Sequence, residues 1–263
     1  KSQINHNKHY STPEEEEQRK LNFLNSLQIV EKHNELYKKG EKSYELGINL
    51  FSDLSADEYR AMFRMPDPTV RKPESAPAFI ANLTVAAPQS FDWRQQGKVT
   101  PIKNQGGCGS CWSFSVVGAI ESLYAIKHNQ NLDLSEEQMV DCMNSKCGGE
   151  WIYDGYKYVI ANGLETESVY PYTAGSGKYN ACKEQKSSPH THISSYQSLG
   201  KGISEAHALA TDAEIMAAVQ IQPVSMMFNA AGSDFSGYKS GVLTHNDMGW
   251  TGSHAVIIVG WGT

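Results

Sequence analysis

Along the first sixty residues, polar and apolar positions recur at helical rather than alternating spacing. Arg19, Phe23, Ser26, Val30 and Asn34 fall at steps of 4, 3, 4 and 4, which places them on one face of an α-helix. Pro13 and the acids Glu14 to Glu17 precede them, suiting a helix start with its fixed φ and positive dipole end. Glu15 lies four residues before Arg19, the better order for a helical ion pair. Gly40 is the predicted stop. An extended stretch is expected over 43–51, then a helix over 58–63 capped by Ser55 or Asp53.

Further on, the spacing predicts a helix over 111–128 with Phe114, Val117, Ile120, Leu123 and Tyr124 as its apolar stripe. A second opens at Leu134-Ser-Glu-Glu-Gln, with Ser135 as N-cap and Gln138 at the capping-box position. A third spans 151–161 and closes at Asn162-Gly163. Beyond about residue 190, short apolar runs at 224–228 and 255–259 read as strands. A helical lobe followed by a β-rich lobe gives an α+β architecture with a cleft between them. Between 65 and 88, five prolines in 24 residues mark an extended, accessible linker, the kind of segment a protease cuts. It holds the N-glycosylation sequon Asn82-Leu-Thr84.

Composition narrows the function. The 263 residues carry 23 basic and 29 acidic side chains, a net charge of −6 without a basic run, which argues against nucleic-acid binding. No apolar stretch approaches the roughly 18 residues of a membrane span. The first residue is Lys1 and no signal peptide is visible, so the expectation is a processed or trimmed chain. Five cysteines, Cys108, Cys111, Cys142, Cys147 and Cys182, leave one thiol over if the rest pair. A four-cysteine zinc site is the rival reading of Cys108-x2-Cys111 and Cys142-x4-Cys147.

The chemistry concentrates at Gln105-Gly-Gly-Cys108-Gly-Ser-Cys111-Trp112. A cysteine in the first turn of a helix faces unpaired N–H groups and the positive dipole end, both of which favour thiolate. Gln105 offers an amide that, with the Cys111 backbone N–H, can hold a developing oxyanion. Acyl transfer from a thiolate needs a base that then protonates the leaving amine, a role that suits histidine. His254 stands at the entrance to the last apolar run; its plain alternative is a histidine capping a strand end in solvent.

These residues resemble the papain-like cysteine proteases. Cys108-Gly-Ser-Cys111-Trp112 matches the family signature, and His254 lies 143 residues after Cys111, within the expected spacing of about 130–150. The likeness extends through Phe91-Asp-Trp-Arg, Pro101-Ile-Lys-Asn-Gln, Leu134-Ser-Glu-Glu-Gln, Cys147-Gly-Gly, Tyr170-Pro-Tyr and His254-Ala-Val…Gly260-Trp-Gly. The first 64 residues resemble the inhibitory propeptide of the cathepsin L-like branch. Glu15, Arg19, Phe23, Val30 and Asn34 fit its helical motif, with Ser26 where Asn is usual, and Gly47, Asn49, Phe51 and Asp53 complete its second motif.

The resemblance implies a papain-like two-lobe fold, with a helical left lobe, a β-barrel-like right lobe and the active-site cleft between them. An inhibitory propeptide at 1–64, a linker with the activation cleavage at 65–86 and a peptidase domain at 87–263 follow from it. Cys111 would be the nucleophile, His254 its partner and Gln105 the oxyanion donor. Cys108 would pair with Cys147 and Cys142 with Cys182, which removes the zinc reading and implies no metal or cofactor. Gly109, Gly149, Trp112, Glu150 and Trp151 are the expected substrate-binding residues.

The implied protein is a zymogen of a cysteine endopeptidase acting on protein or peptide substrates. Its partners would be its own propeptide, as an intramolecular inhibitor, and cystatin-like inhibitors; it would be a monomer. Two disulfides imply an oxidising route, through the secretory pathway to a lysosome or acidic vacuole, or outside the cell. The sequence departs from the pattern in two places besides the short Cys147-Gly-Gly. Ser113 stands where Ala is common, and the family's orienting Asn, expected 15–20 residues after His254, would fall beyond Thr263. The expectation is therefore a fragment of a longer product. The alternative function is an impaired homologue whose propeptide inhibits related proteases, and a third is a binding or storage protein on the same fold.

Overall fold

A computed structural model of the chain describes residues 8–63, 66, 76–84, 86–199, 210–230, 232–244 and 254–262. Most of the proline-rich linker therefore lies outside the described residues. The chain divides into two compact units that do not follow chain order. One comprises Lys1–Phe63 with Asn229–Ser253, the other Arg64–Phe228 with His254–Thr263.

The first unit is built on helix α1 (Pro13–Lys38). The Thr12 hydroxyl accepts from the Glu15 N–H, Pro13 fills the first turn, and Glu14, Glu15 and Glu16 face the dipole. The helix stops before Gly40, whose φ of +76° an L side chain rarely adopts. After it, the extended segment shrinks to strand β1 (Tyr44–Leu46), held by Asn34. The Asn34 amide donates to Leu46 O (2.8 Å) and its Oδ1 accepts from Leu46 N (2.9 Å). Helix α2 is Ala56–Ala61, two residues earlier than the spacing predicts, with a complete capping box between Ser55 and Glu58. Asp53 does not cap it; its carboxylate binds Lys8 Nζ (2.6 Å) and Tyr10 Oη (2.7 Å).

The second unit contains strand β2 (Phe91–Asp92) and helices α3 (Cys111–His128), α4 (Glu136–Cys142), α5 (Ile152–Asn162) and α6 (Asp212–Val219). Strand β3 (Val224–Phe228) belongs here, whereas the short helix α7 (Ser233–Ser236) and strand β4 (Tyr238–Gly241) return to the first unit. There β4 pairs antiparallel with β1, Tyr44 opposite Gly241 and Leu46 opposite Tyr238. Strands β5 (His254–Ile258) and β6 (Gly260–Trp261) complete the second unit. Strand β5 pairs with β3, Phe228 opposite His254, and β6 pairs with β2.

Helix α3 is buried on more than one stripe. Trp112, Val116, Val117 and Ile120 join Leu134, Met139, Val159, Leu164 and Ala255 in one core, while Phe114, Leu123 and Tyr124 are only half-buried. The reason is that α3 has neighbours on several sides: α4, α5, β3 and β5. Gly155 on α5 permits one of these approaches, since a Cβ there would stand 3.0 Å from Val116 Cγ2. Ser115 bridges the helix to the β-ribbon, donating to Val256 O (2.8 Å) and accepting at its carbonyl from Ser225 Oγ (3.0 Å).

The capping box foreseen at Ser135 is half-formed. Ser135 Oγ accepts from Gln138 N (3.0 Å), but the Gln138 side chain turns away to Gly163 O (3.1 Å) and Glu165 N (2.7 Å). Tertiary partners outbid the local one because those buried backbone groups need satisfying. Below α4 lies a charge cluster. Lys103 Nζ meets Glu121 (2.9 Å), Glu136 (2.8 Å) and Asp133 (2.7 Å), with Glu121 and Glu136 almost wholly buried.

Candidate active site

Cys111 is the first residue of α3 and is fully buried. Ser110 is the N-cap but makes no side-chain cap bond, because its hydroxyl pairs with Tyr172 Oη at 2.8 Å. The N–H groups of Cys111 and Trp112 are thereby left to the cysteine sulfur, joined by the N–H of Ala255 from β5. These donors favour thiolate. Burial acts in the opposite sense and prevails, pushing the thiol above its ordinary value. Burial likewise lowers His254, the first residue of β5, to about 4. Burial thus works against charge on both groups, opposing the thiolate that the position of Cys111 at the helix start favours.

The loop before α3 is fixed at several points. Gln105 Nε2 donates to Cys108 O (2.8 Å), and Gln105 O accepts from Tyr172 Oη (2.7 Å). Gly107 N donates to Gly175 O (2.7 Å). Gly106 has φ +63°, and a Cβ there would run into the Gly175 backbone, so only glycine fits. The turn carrying Gly175 is itself held by Glu137, which accepts from Thr173 N and Ala174 N, both at 2.9 Å. Tyr172 thus ties the Gln105 segment to the helix cap at Ser110, and its ring meets Phe114 edge-on at 5.0 Å. Sequence reasoning missed this residue, although it stands in the quoted Tyr-Pro-Tyr motif.

Disulfides join Cys108 to Cys147 and Cys142 to Cys182, with Cys111 as the thiol outside both. Three of the four sulfurs that the zinc cluster would use, those of Cys108, Cys142 and Cys147, are consumed in disulfides, which removes that rival reading. Gly109 bridges Gly148, and Gly149 has φ +87°. Trp112 belongs to the core without exposed surface. Trp151 is also buried and stacks on Tyr153 at 5.8 Å. Glu150 Oε1 accepts from Trp151 N (2.9 Å) at the start of α5. It lines a depression of about 400 Å³ with Met143, Asp154, Lys157 and Tyr158.

In the first unit, Arg19 reaches Glu58 (2.8 Å) more closely than Glu15 (3.8 Å) and also donates to Asp53 O. Phe23 and Val30 lie half-buried on the same face. Asn49 donates to Ser236 O (2.6 Å), Gly47 N donates to Gly237 O (2.8 Å), and Phe51 packs against Tyr59. Lys8, Tyr10 and Glu58 are partners that no local pattern announces. At the sequon, Thr84 N and Oγ1 both donate to Asn82 Oδ1, and Asn82 is exposed.

Two family profiles match the chain, the papain family cysteine protease over residues 87–263 and the cathepsin propeptide inhibitor domain over residues 3–59. Digestive cysteine proteinase 1 of Homarus americanus is 36% identical over 95% of this chain and 76% of its own length. Probable cysteine protease RD21C of Arabidopsis thaliana is 33% identical over 99% of the chain, which spans only 56% of that protein. Among solved structures, a digestive procathepsin L 3 of Tenebrio molitor superposes with a TM-score of 0.85 at 29% identity, covering 100% of this chain and 82% of that one. The chain accordingly belongs to the papain family of cysteine proteases, as a cathepsin L-like proenzyme whose inhibitor domain precedes its peptidase domain.

Proposed function

We propose that Cys111 is the nucleophile, His254 its proton partner and Gln105 the oxyanion donor of a peptide-bond hydrolase. The observation that carries this reading is the Ala255 N–H on the Cys111 sulfur. It brings the strand that begins at His254 to the start of α3. In the reaction, the Cys111 thiol gives its proton to His254 as the sulfur bonds to the peptide carbonyl carbon, and an electron pair moves onto the oxygen, facing Gln105 Nε2 and the Cys111 N–H. Collapse expels the amine, which takes its proton from the His254 imidazolium. Water, giving a proton to His254, then splits the thioester and restores the thiol.

The substrates in this reading are proteins or peptides bound in extended form along Gly109 and Gly149, whose backbones act as a strand edge does. The propeptide at 1–64 is the intramolecular inhibitor, and cleavage within 65–86 releases it. Cystatin-like inhibitors are the external partners of the monomeric enzyme. Two disulfides support passage through an oxidising compartment, ending in an acidic vacuole or lysosome, or outside the cell.

Hydrolysis of a fluorogenic peptide amide by the acid-processed chain tests the assignment. Cys111→Ala should abolish turnover. Gln105→Ala should lower kcat by about 10²–10³ with KM little changed, as for loss of one oxyanion donor. Turnover surviving in Cys111→Ala overturns the assignment.

A further inference from the structure

The described linker residues are fastened within the second unit at two places. On the amino-terminal side, Ala78 makes a parallel bridge with Ser198, through Phe79 N to Ser198 O (2.8 Å) and Ser198 N to Pro77 O (2.9 Å). On the carboxy-terminal side, Trp261 Nε1 donates to Pro88 O (3.0 Å), and its ring stacks on Phe91 at 5.2 Å. Between these anchors the backbone of residues 80–84, 86 and 87 makes no hydrogen bond to other backbone groups among the described residues. Ile80 is 89% exposed and Leu83 57%. A peptidase cleft takes a chain of this kind, with backbone groups open to pairing and apolar side chains for its pockets.

Asn82 lies in the middle of this stretch and is exposed. Its Oδ1 accepts from Thr84 N (3.1 Å) and from Thr84 Oγ1 (2.6 Å). A backbone N–H only donates, which identifies this end of the amide as the oxygen. With the oxygen end held by Thr84, Nδ2 is the end left for modification. Leu83, not proline, stands between Asn82 and Thr84, as an Asn-x-Thr acceptor requires. The acceptor thus sits on the same exposed stretch whose open backbone a protease would enter.

We propose that Asn82 carries an N-linked glycan and that this glycan bars proteases from residues 80–87. The inference rests on the proposed passage through the secretory pathway and on activation by cleavage of the linker. In the modification, Asn82 Nδ2 bonds to C1 of an oligosaccharide supplied on a polyisoprenyl pyrophosphate. The pyrophosphate departs with the C1–O electron pair, and Nδ2 releases one proton. Every residue between the two anchors lies within five positions of Asn82. A bulky glycan there stands beside any bond of the stretch that a cleft must enclose. Release of the propeptide then depends on a cut outside 80–87, or on removal of the glycan.

The test uses the full chain carrying Cys111→Ala, so that it cannot process itself, secreted from a eukaryotic host behind a supplied leader. Intact mass should show a glycan that an N-glycosidase removes. Asn82→Gln and Thr84→Ala should each lose it, whereas Thr84→Ser should keep it. Limited digestion with papain follows, with the new N-termini mapped by mass spectrometry. The glycosylated chain should give no ends within 80–87. Those ends should appear in Asn82→Gln, in Thr84→Ala and in the parent after glycosidase, while Thr84→Ser follows the parent. The assignment of Cys111 is read separately, by peptide turnover in the chain that keeps it, so the two readings fail independently. A folded, secreted parent without the glycan overturns the site, and equal cutting within 80–87 with and without the glycan overturns the shielding.

Discussion

Replacing Glu136 with glutamine should stabilise the protein at neutral pH while leaving its stability in acid unchanged. Glu136 is 2% exposed and shares the single ammonium of Lys103 with Glu121 and Asp133. Burial raises its carboxyl from an ordinary 4.5 to about 7, against the pull of Lys103 and with a push from Glu121. The folded protein therefore holds a proton that the unfolded chain releases earlier. Stability from this proton is complete below pH 4.5 and is lost as the pH rises through about 7. The difference amounts to about 3 kcal/mol between pH 4 and pH 8. Glutamine keeps an acceptor for Lys103 and has nothing to ionise. Thermal unfolding across that range should show the two chains coincident near pH 4. The variant should be ahead by roughly 5–10 °C near pH 8. A variant whose Tm follows the parent at every pH would refute the reasoning, because the buried carboxyl would then not be the group that titrates.

Asn34→Ala removes both bonds to the Leu46 backbone and should destabilise the first unit by about 1–3 kcal/mol, read as earlier urea unfolding and faster processing at constant pH. Acid should loosen the same unit. Burial works to raise Asp53 and Glu58, but bonds from Lys8 and Tyr10 to one, and from Ser55 and Arg19 to the other, hold both below their ordinary values. Their contribution is present above those ordinary values and fades as pH falls through the lowered ones. Asp53→Asn should shift the midpoint of acid activation to higher pH, measured by the release of propeptide on gels. Gly106→Ala forces a Cβ into the Gly175 backbone and should reduce turnover more than stability, since it displaces the Gln105 loop. Unaltered kcat in a folded Gly106→Ala chain would show that the loop has slack.

Much of this architecture is legible in the sequence where local rules act alone. Helix α3 spans Cys111–His128 as its apolar spacing predicts, and Ser55 caps α2 as expected. The legible part ends where a distant partner decides. Gln138 and Asp53 carry capping signals, yet each is drawn off by groups far along the chain. The pairing of Tyr44–Leu46 with Tyr238–Gly241 leaves no periodic trace in either segment. The cysteine shows the same limit. Its place at a helix start is written in the sequence, but its acidity is set by burial, which only the folded chain reveals. The charge cluster at Lys103 is hidden for a like reason, because Glu121 and Glu136 read as surface acids on helices until α3 and α4 pack together.

The central claim is that Cys111 is the nucleophile, silent while buried and reactive once the proenzyme is processed. Intact-mass and peptide-mapped labelling with an epoxide that alkylates protease thiols tests it most directly, run before and after acid processing at about pH 5. The account predicts one adduct, on Cys111, forming slowly in the precursor and far faster afterwards, and abolished in His254→Ala. Equal labelling rates before and after processing, or an adduct that persists at full rate in His254→Ala, would contradict it.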